Sequence, residues 1–440
     1  MSTIEIQGRI DDQAKQSRRA AAAAVFGSTL EFYEFNIYAS ASALVFGQVF
    51  FPDSTPVVGT LLSLATFGIA FAVRPLSAMV LGHFGERLGR KTMLMLTLGL
   101  MGGATFGIGC LPDYNTIGYW APALLVFLRF VQGFSAAGEQ PGAGVLALEH
   151  APEGRRAFYT SWMPAGSQLG FGIATLVFLG VATLPDEDLF SWGWRVPFWA
   201  SALIVIIAYV IRHRVQEPEV YAEKREKNEI PAYPIATLFR THRAATARVI
   251  ICALEAVIYS VYAAFALAFA TSVGVPRTTM LLVAVVGCAV AVCMYPVWAL
   301  LADRIGRKPV FIFGLLGSGA SVLFYFWAIS TATIPLIFIG AILLIGVFYS
   351  AVDGIFPSFF AEMFNTRVRF TGVVVGTQLG FTAAGFAPSI AWSLVGDDAT
   401  HWLPVALMVV VVCLIAAAAA VTARETYRTP LDELGNPVGK

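Results

Sequence analysis

Long apolar runs recur along almost the whole chain and restrict what it can form. Twelve of them approach or exceed the roughly 20 residues that cross a bilayer as an α-helix, and short polar stretches separate them. Within hydrocarbon, only helices and closed barrels satisfy every backbone hydrogen-bonding group. The chain is 57% hydrophobic and only 13% charged, whereas a soluble domain carries roughly 25% charged residues. The sequence therefore predicts an all-α integral membrane protein.

The limits of the apolar runs divide the chain into two sets of six helices around one long polar connection. We predict an N-terminal six-helix bundle over 1–212, a cytoplasmic linker over 213–245 and a C-terminal six-helix bundle over 246–440. The twelve predicted transmembrane helices cover residues 21–50, 57–81, 92–111, 120–148, 157–183, 193–212, 246–271, 278–301, 309–329, 333–361, 370–395 and 402–423.

The distribution of basic residues predicts the orientation. With the N-terminus inside, 25 of the 29 Lys and Arg residues lie in cytoplasmic segments or at their borders. Arg195 and Arg277 fall on the outer side, and Arg74 and Arg129 fall within spans. Cytoplasmic loops of membrane proteins carry an excess of Lys and Arg. We therefore expect both termini to face the cytoplasm.

A charged signature occurs once in each half of the chain. Gly82–Lys91 and Ala299–Lys308 share the pattern acid-Arg-x-Gly-Arg-Lys, and Gly89 and Gly306 are 217 positions apart. Duplicated halves are typical of transporters whose two bundles rock around a central site. The acids can pair with arginines to hold one state closed, although anchoring of the topology alone is the alternative. The predicted gating residues are Glu86, Arg87, Arg90, Glu149, Asp303, Arg304, Arg307 and Glu362.

Ionisable residues inside the predicted spans are few and follow helical stripes. A charge at mid-membrane costs about 2.5–3.5 kcal/mol on insertion scales, so it should face a cavity or a partner. Guanidinium groups match carboxylates bidentately, which suggests an acidic substrate and carboxylates that carry the coupling proton. Permanent salt bridges, for example between Arg129 and Glu139 or Glu34, are the structural alternative. The predicted proton-coupling residues are Glu31, Glu34, Glu139, Glu255 and Asp353, and the predicted substrate-binding residues are Arg74, Arg129, Tyr33, Tyr38, Gln132, Gln168, Tyr259 and Tyr262.

Other functional classes lack their usual sequence patterns. The net charge of +1 does not suggest a nucleic-acid partner. Five cysteines without a Cys-x-x-Cys pair and five scattered histidines give no metal site or nucleophile–base pair. The chain also has no phosphate-binding Gly-x-x-x-x-Gly-Lys-Ser/Thr loop. We therefore expect no enzyme activity, no metal and no cofactor other than a proton.

Several motifs jointly resemble one known family. The doubled hairpin signature is the mark of the major facilitator superfamily, and further motifs resemble its metabolite:proton symporters, with the hairpin and Leu111–Pro122 most like shikimate carriers. Two features depart from the family pattern: the Gln140-Pro141 pair, and Glu rather than Asp at Glu34 and Glu86. The supporting motifs are Leu30–Phe35, Arg74-Pro75-Leu76, Arg129–Gly133 with Gly138-Glu139, Glu149–Pro152 with Arg155-Arg156, and Trp192–Phe198.

The resemblance implies a major facilitator fold and proton-coupled symport. The implied substrate is a small organic acid such as shikimate or a related cyclic or aromatic carboxylate. A dicarboxylate or tricarboxylate carrier, a proline or betaine carrier, and a uniporter or exchanger remain alternatives. A membrane receptor is a further alternative, but we expect no appended signalling domain in this chain. The resemblance also implies a bacterial inner-membrane location, and we expect a monomer.

Overall fold

The computed structural model describes residues 3–54, 56–181, 183–215, 219–227, 231, 233–395 and 401–435. Those residues form twelve long helices and no β-strand. The helices of the first half are α1 Thr3–Leu44, α2 Pro56–Leu88, α3 Arg90–Cys110, α4 Trp120–His150, α5 Trp162–Val181 and α6 Arg195–His213. Those of the second half are α7 over 243–272, α8 Arg277–Ile305, α9 Arg307–Ser330, α10 Ile334–Ala361, α11 Arg369–Val395 and α12 Leu403–Val421.

Short helical segments occupy several connections. The linker contains two of them, and residues 216–218, 228–230 and 232 of the predicted linker lie outside the described residues. The helices are Phe46–Phe50, Tyr114–Ile117, Arg156–Thr160, Asp186–Asp188 with a π-helical turn Leu189–Gly193, Glu219–Glu226 and Pro234–Thr241.

The observed helices agree with the predicted all-α class. Within the described residues, ten helices are long and apolar enough to cross a membrane. The remaining two long helices are α1 and α5, so twelve crossings are consistent with the structure. The limits of the two bundles and of the linker between them stay predictions.

The first helix differs most from its predicted limits. It begins at Thr3 rather than near residue 21, and it ends at Leu44 before the separate turn Phe46–Phe50. The N-terminal extension is polar and contains no proline to break it. Hydropathy detects only the membrane-embedded part of a helix, so the polar extension escaped prediction.

Helices α7 and α10 of the second half each contain irregular turns. α7 contains a 3₁₀ turn at Ala253–Glu255 and a π-helical turn at Val261–Phe265. α10 contains a π-helical stretch at Ile342–Tyr349 and a non-helical step at Gly354 and Ile355. Such turns often mark functional sites because they redirect side chains locally.

Small residues bring α1 and α5 into close contact. A side chain at Gly166 or Gly170 would collide with the α1 backbone at Val25 or Thr29. The Thr29 hydroxyl also donates to the Gly166 carbonyl at 3.1 Å. Small residues let membrane helices approach closely and gain van der Waals packing, and the two glycines stand four residues apart on α5.

The two bundles meet along several helix pairs, and α4 contacts both α10 and α11. α2 packs against α11, and α5 packs against α8. Where α2 meets α11, the Thr371 hydroxyl donates to the Gly82 carbonyl at 2.7 Å, and Phe370 occupies the space above Gly85. These contacts close the side of the molecule that holds the α2–α3 and α8–α9 hairpins, called here the hairpin face.

Candidate functional site

A cavity of about 590 Å³ lies between the two bundles. Its wall comes mainly from α1 and α2 of the first bundle and from α7, α10 and α11 of the second. This volume lies within the range typical of small-molecule sites. The wall combines aromatic rings with a few charged groups, and the charged members are Glu31, Arg74, Glu255 and Asp353.

The first-bundle wall carries an ion pair. Arg74 of α2 lies 3.4 Å from the Glu31 carboxylate of α1, and both side chains are buried. The guanidinium also lies over the Phe35 ring, 4.9 Å from its centroid. Arg74, a predicted substrate-binding residue, therefore contacts Glu31, a predicted proton-coupling residue. Arg74 also lines the cavity.

The second-bundle wall carries two carboxylates. Glu255 lies in the 3₁₀ turn of α7, and Asp353 directly precedes the irregular step of α10. The two carboxylates interact electrostatically, and Tyr349 hydrogen-bonds Glu255. One Glu255 oxygen is buried without a hydrogen-bond partner among the described residues. Within the described residues, neither carboxylate forms an ion pair with Lys or Arg.

A hydrogen-bonded chain leads from Asp353 to the other bundle. The buried Tyr295 hydroxyl of α8 donates to Asp353 Oδ2 at 2.6 Å. The side-chain amide of Gln168 on α5 donates to the same hydroxyl oxygen at 3.4 Å. Gln168 is thus placed at the contact of the two bundles, immediately behind the cavity wall.

A second polar group lies inside the first bundle. Arg129 of α4 lies over the Tyr38 ring at 4.0 Å from its centroid and donates to Gln132 at 3.0 Å. Gln132 in turn donates to Thr105 at 2.6 Å. Glu34 is buried beside them and interacts electrostatically with Arg129. The cavity wall, as far as the described residues form it, includes none of these side chains.

Glu139 pairs with Arg212 of α6, a partner that the sequence did not suggest. The two side chains are buried and form a bidentate ion pair. Thr97 of α3 donates to the same carboxylate at 3.0 Å, and Arg212 donates to the Leu94 carbonyl at 2.9 Å. This arrangement ties α3, α4 and α6 together, away from Arg129.

The predicted aromatic residues divide between wall and interior. Tyr259 lines the cavity and stacks on Tyr349 with centroids 6.0 Å apart. Tyr33 donates to the Pro197 carbonyl at 2.7 Å inside the first bundle. Tyr262 packs against Tyr325 inside the second bundle, with centroids 5.5 Å apart. Of the eight predicted substrate-binding residues, Arg74 and Tyr259 line the described cavity wall.

A buried charge cluster lies at the first hairpin. Arg90 pairs with Glu86 one turn earlier and with Glu149 at the end of α4, where its Nε is 3.3 Å from the carboxylate. Arg369 of the second bundle also pairs with Glu149, at 2.9 Å. The Thr371 backbone amide donates to Glu86 at 3.2 Å. The cluster therefore crosses between the bundles.

The second hairpin repeats this arrangement with the bundles exchanged. Arg307 pairs with Asp303 at 2.9 Å and with Glu362 at 3.1 Å. Arg156 of the first bundle pairs with Glu362 at 3.0 Å. Burial lowers the pKa of the Arg156 guanidinium, and the Glu362 carboxylate opposes that change. Asp303 accepts hydrogen bonds at 3.0 Å from the backbone amides of Ala157 and Phe158.

Two predicted gating residues lie apart from these clusters. Arg87 and Arg304 are exposed on the hairpin face, and neither forms an ion pair with the described residues. The glycines of both hairpins adopt positive φ, 101° at Gly89 and 111° at Gly306. Only glycine adopts that conformation readily, which explains its place in both copies of the signature.

The sequence missed several residues that the structure brings to these groups. Arg156 and Arg369 follow Glu149 and Glu362 at equivalent places in the two halves, but the sequence does not show that each pairs with the glutamate of the other bundle. Arg212 stands at the end of an apolar run, so its position in the sequence indicates only a helix end. Tyr295 had a weak signal, since it is a tyrosine before Pro296 on a helix that is otherwise nearly all apolar.

Comparison with known proteins identifies the architecture. The model of the Major Facilitator Superfamily matches residues 22–294 and 249–437. The chain belongs to the major facilitator superfamily. As a member of that superfamily it is a multi-pass inner-membrane transporter. The duplicated hairpin signature is therefore the mark of the superfamily, as the resemblance implied.

Relatives of this transporter extend over nearly the whole chain. It is 38% identical over 426 residues to the shikimate transporter of Escherichia coli strain K12, covering 94% of this chain and 96% of that protein. It is 32% identical to the glycine betaine/proline/ectoine/pipecolic acid transporter OusA of Dickeya dadantii, covering 94% of this chain and 84% of that one. These similarities confirm the resemblance to shikimate-type carriers.

A solved structure confirms the fold. The proton:xylose symporter XylE bound to 6-bromo-6-deoxy-D-glucose matches with a TM-score of 0.75 at 16% identity. The match covers 96% of this chain and 98% of that one. At this level of identity the likeness establishes the major facilitator architecture.

Proposed function

We propose that this transporter is a proton-coupled symporter that imports a small organic acid of the shikimate class. The observation that carries the proposal is the charge of the cavity wall, where three carboxylates face one guanidinium. If all four groups were ionised, the wall would repel an anionic substrate. Protonation of carboxylates would remove that repulsion, so anion binding and proton binding would favour each other.

Arg74 is the proposed anchor for the substrate carboxylate. Its guanidinium lies at the wall and is paired with Glu31 at 3.4 Å. Protonation of Glu31 would release the guanidinium, which could then bind the substrate carboxylate bidentately. The aromatic rings of Phe32, Phe35 and Tyr259 would pack against a cyclic substrate.

The charge clusters of the hairpin face are the proposed gate. Each cluster joins an arginine of one bundle to a glutamate of the other, and those contacts must break before the hairpin face opens. The basic hairpins favour a cytoplasmic position for this face and for both termini. With that orientation the carrier would be closed toward the cytoplasm, and we propose that it works as a monomer.

A second candidate substrate is a zwitterionic osmolyte. The same wall places carboxylates beside several aromatic rings, a combination that suits a quaternary ammonium group. The similarity to a betaine and proline carrier supports this alternative. An ammonium substrate would use Glu255 and Asp353, whereas an anionic ring would use Arg74.

Uptake into tight proteoliposomes tests the proposal. Labelled shikimate would be added with and without an inward proton gradient, and unlabelled aromatic acids, citrate, 2-oxoglutarate, proline and betaine would compete. We expect gradient-stimulated uptake that cyclic hydroxy acids inhibit most strongly. Inhibition mainly by betaine would favour the osmolyte alternative. Uptake that does not depend on the proton gradient would contradict symport.

A further inference from the structure

We propose that Tyr295 is a positioning residue that transmits the ionisation state of Asp353 to the contact between the two bundles. This inference rests on the proposed proton symport. Tyr295 is fully buried in α8, with its hydroxyl between Asp353 of its own bundle and Gln168 of the other. The residue thus lies between a carboxylate of the cavity wall and the interface that must rearrange during transport.

The hydroxyl has one proton, one acceptor in contact, and a second potential acceptor on the Gln168 side chain whose amide nitrogen faces it. One acceptor is Asp353 Oδ2 at 2.6 Å. The other is the carbonyl oxygen of the Gln168 side chain, which is buried and has no hydrogen-bond partner among the described residues. Because buried polar atoms are costly to leave unsatisfied, the Gln168 oxygen is a ready acceptor once the hydroxyl proton becomes available.

When Asp353 is ionised, the Tyr295 hydroxyl proton stays in the hydrogen bond to the Asp353 carboxylate. A carboxylate only accepts hydrogen bonds, so the Tyr295 hydroxyl donates to it, as the 2.6 Å contact shows. Such charge-assisted bonds are roughly twice as strong as neutral ones. Gln168 is then left with the longer, 3.4 Å donation to the hydroxyl oxygen, and the tie between the bundles is weak.

Protonated Asp353 reverses the direction of the chain. Its own hydroxyl can donate to the Tyr295 oxygen. The Gln168 amide, whose nitrogen faces the Tyr295 hydroxyl, would then flip and present its carbonyl oxygen to the Tyr295 proton. No covalent bond changes except the protonation of Asp353 itself. Successive hydrogen bonds in one direction strengthen each other, so protonation tightens the contact between α5 and α8.

The consequence is a guard against proton leakage. A carrier that has bound a proton but no substrate is held closed at the hairpin face. With the substrate carboxylate held by Arg74, another oxygen of the substrate that accepts the Asp353 proton in a hydrogen bond removes the donor from Tyr295 and loosens the contact. Turnover then requires proton and substrate together.

Other titratable groups face Asp353 and enter its balance. Glu255 and Tyr259 of α7 and Tyr349 of α10 interact with it electrostatically. Glu31 and Arg74 line the same cavity on the opposite bundle. Tyr259 also contacts Gln168 of the opposite bundle, but its interaction with Asp353 is electrostatic, whereas the Tyr295 hydroxyl hydrogen-bonds both Asp353 and Gln168.

The test compares proton leakage through three variants. Tyr295→Phe removes only the hydroxyl, and Gln168→Leu removes the far end of the chain. Tyr325→Phe is the matched control, because Tyr325 is a buried tyrosine of the same bundle that packs against Tyr262 and Gly340. Each protein is reconstituted with an internal pH dye and exposed to an acidic exterior without substrate.

We expect substrate-free proton influx through Tyr295→Phe to exceed that of the wild type by about fivefold, the factor for losing one net hydrogen bond. The influx should rise as the external pH falls, since protonated Asp353 is the leaking form. Gln168→Leu should leak in the same way, and Tyr325→Phe should match the wild type.

Wild-type leakage in both Tyr295→Phe and Gln168→Leu would overturn the inference, and if one variant does not fold, the other decides. Gradient-driven shikimate uptake by the wild type is measured in the same vesicles. Its absence would count against the proposed function, whereas its presence with tight variants would count against the role of Tyr295 alone.

Discussion

Arg74 pairs with Glu31 and also faces the cavity. Its replacement should therefore affect substrate affinity directly. We expect Arg74→Gln to raise the KM for a carboxylate substrate about tenfold or more, since a charged hydrogen bond contributes about 1.5–3 kcal/mol. Transport kinetics in proteoliposomes would measure the change.

The matched control for Arg74 is Arg18→Gln, which removes an exposed charge from α1. Arg74→Lys separates charge from geometry, because lysine keeps the charge but cannot bind a carboxylate bidentately. An unchanged KM in Arg74→Gln would move the substrate anchor to another residue.

Glu139 illustrates how a partner changes the interpretation of a carboxylate. Its pairing with Arg212 and Thr97 ties three helices together. Removing one member of a buried ion pair typically costs about 3–5 kcal/mol. We expect Glu139→Gln to lower the melting temperature of the purified protein clearly, whereas Glu153→Gln at an exposed site should not.

The sequence-based alternative for Glu139 is proton coupling, and the same variant distinguishes it. A stable Glu139→Gln protein that exchanges substrate but no longer responds to a pH gradient would support a coupling role. Loss of stability together with all transport would support the structural tie.

At the scale of helices, the two charge clusters are related by the internal duplication. Arg156 reaches Glu362, and Arg369 reaches Glu149, so each bundle supplies one arginine to the cluster of the other. We expect Arg156→Gln with Arg369→Gln to shift the carrier toward an open hairpin face. Spin-label distances between the ends of α4 and α10 should lengthen.

Arg155→Gln is the control for that double variant, because Arg155 is exposed beside Arg156. A separate variant that exchanges the charges, Glu149→Arg with Arg369→Glu, should have a larger closed population than the Arg156→Gln and Arg369→Gln double variant. Distances that stay at wild-type values in the double variant would show that helix packing alone closes the face.

The hairpin turns make a second prediction at this scale. Gly89 and Gly306 have φ of 101° and 111° with ψ of 154° and 158°, a region essentially reserved for glycine that costs other residues about 1–3 kcal/mol. We expect Gly89→Ala and Gly306→Ala to lower thermal stability. Gly99→Ala, which meets open space within α3, should be neutral or slightly stabilising.

Gly306→Ala should be the more damaging of the two variants. An added side chain there would collide with the Glu425 carboxylate, which accepts hydrogen bonds from the backbone amides of Arg307 and Lys308 at 3.0 Å. Equal stability of both alanine variants and the wild type would contradict the assigned turn geometry.

At the scale of the whole molecule, the orientation is testable with reporters. The basic linker and hairpins should be cytoplasmic, and the connection between α5 and α6 should be external. We expect alkaline phosphatase fused after residue 185 to be active in cells, and the same fusion after residue 231 to be inactive. The opposite pattern would invert the topology.

Much of the architecture was predictable because bilayer constraints act locally. Apolar runs of sufficient length must become helices in lipid, so all-α structure and the division into two halves followed from hydropathy and the duplicated signature. The glycines of the signature also followed, since a tight turn between two helices requires them. The polar extension of α1 did not, because hydropathy says nothing about helices outside the membrane.

The candidate site was only partly predictable. Glu31, Glu255 and Asp353 stood out as charges within apolar helices, and all three line the cavity. Tyr262 and Gln132 are polar residues on the same helical stripes as charged ones, but they face the interior of their bundles. A charge pattern along one helix indicates a stripe, yet it does not show which neighbour that stripe faces.

The sequence by itself thus determined the helical class, the duplication and the family, because lipid burial and turn chemistry act on neighbouring residues. Tertiary structure decided the partners: Arg212 for Glu139, the exchanged arginines of the two clusters, and Tyr295 between Asp353 and Gln168. Those choices depend on the rotation of each helix about its axis and on the packing of helices distant in the chain, which a local pattern does not encode.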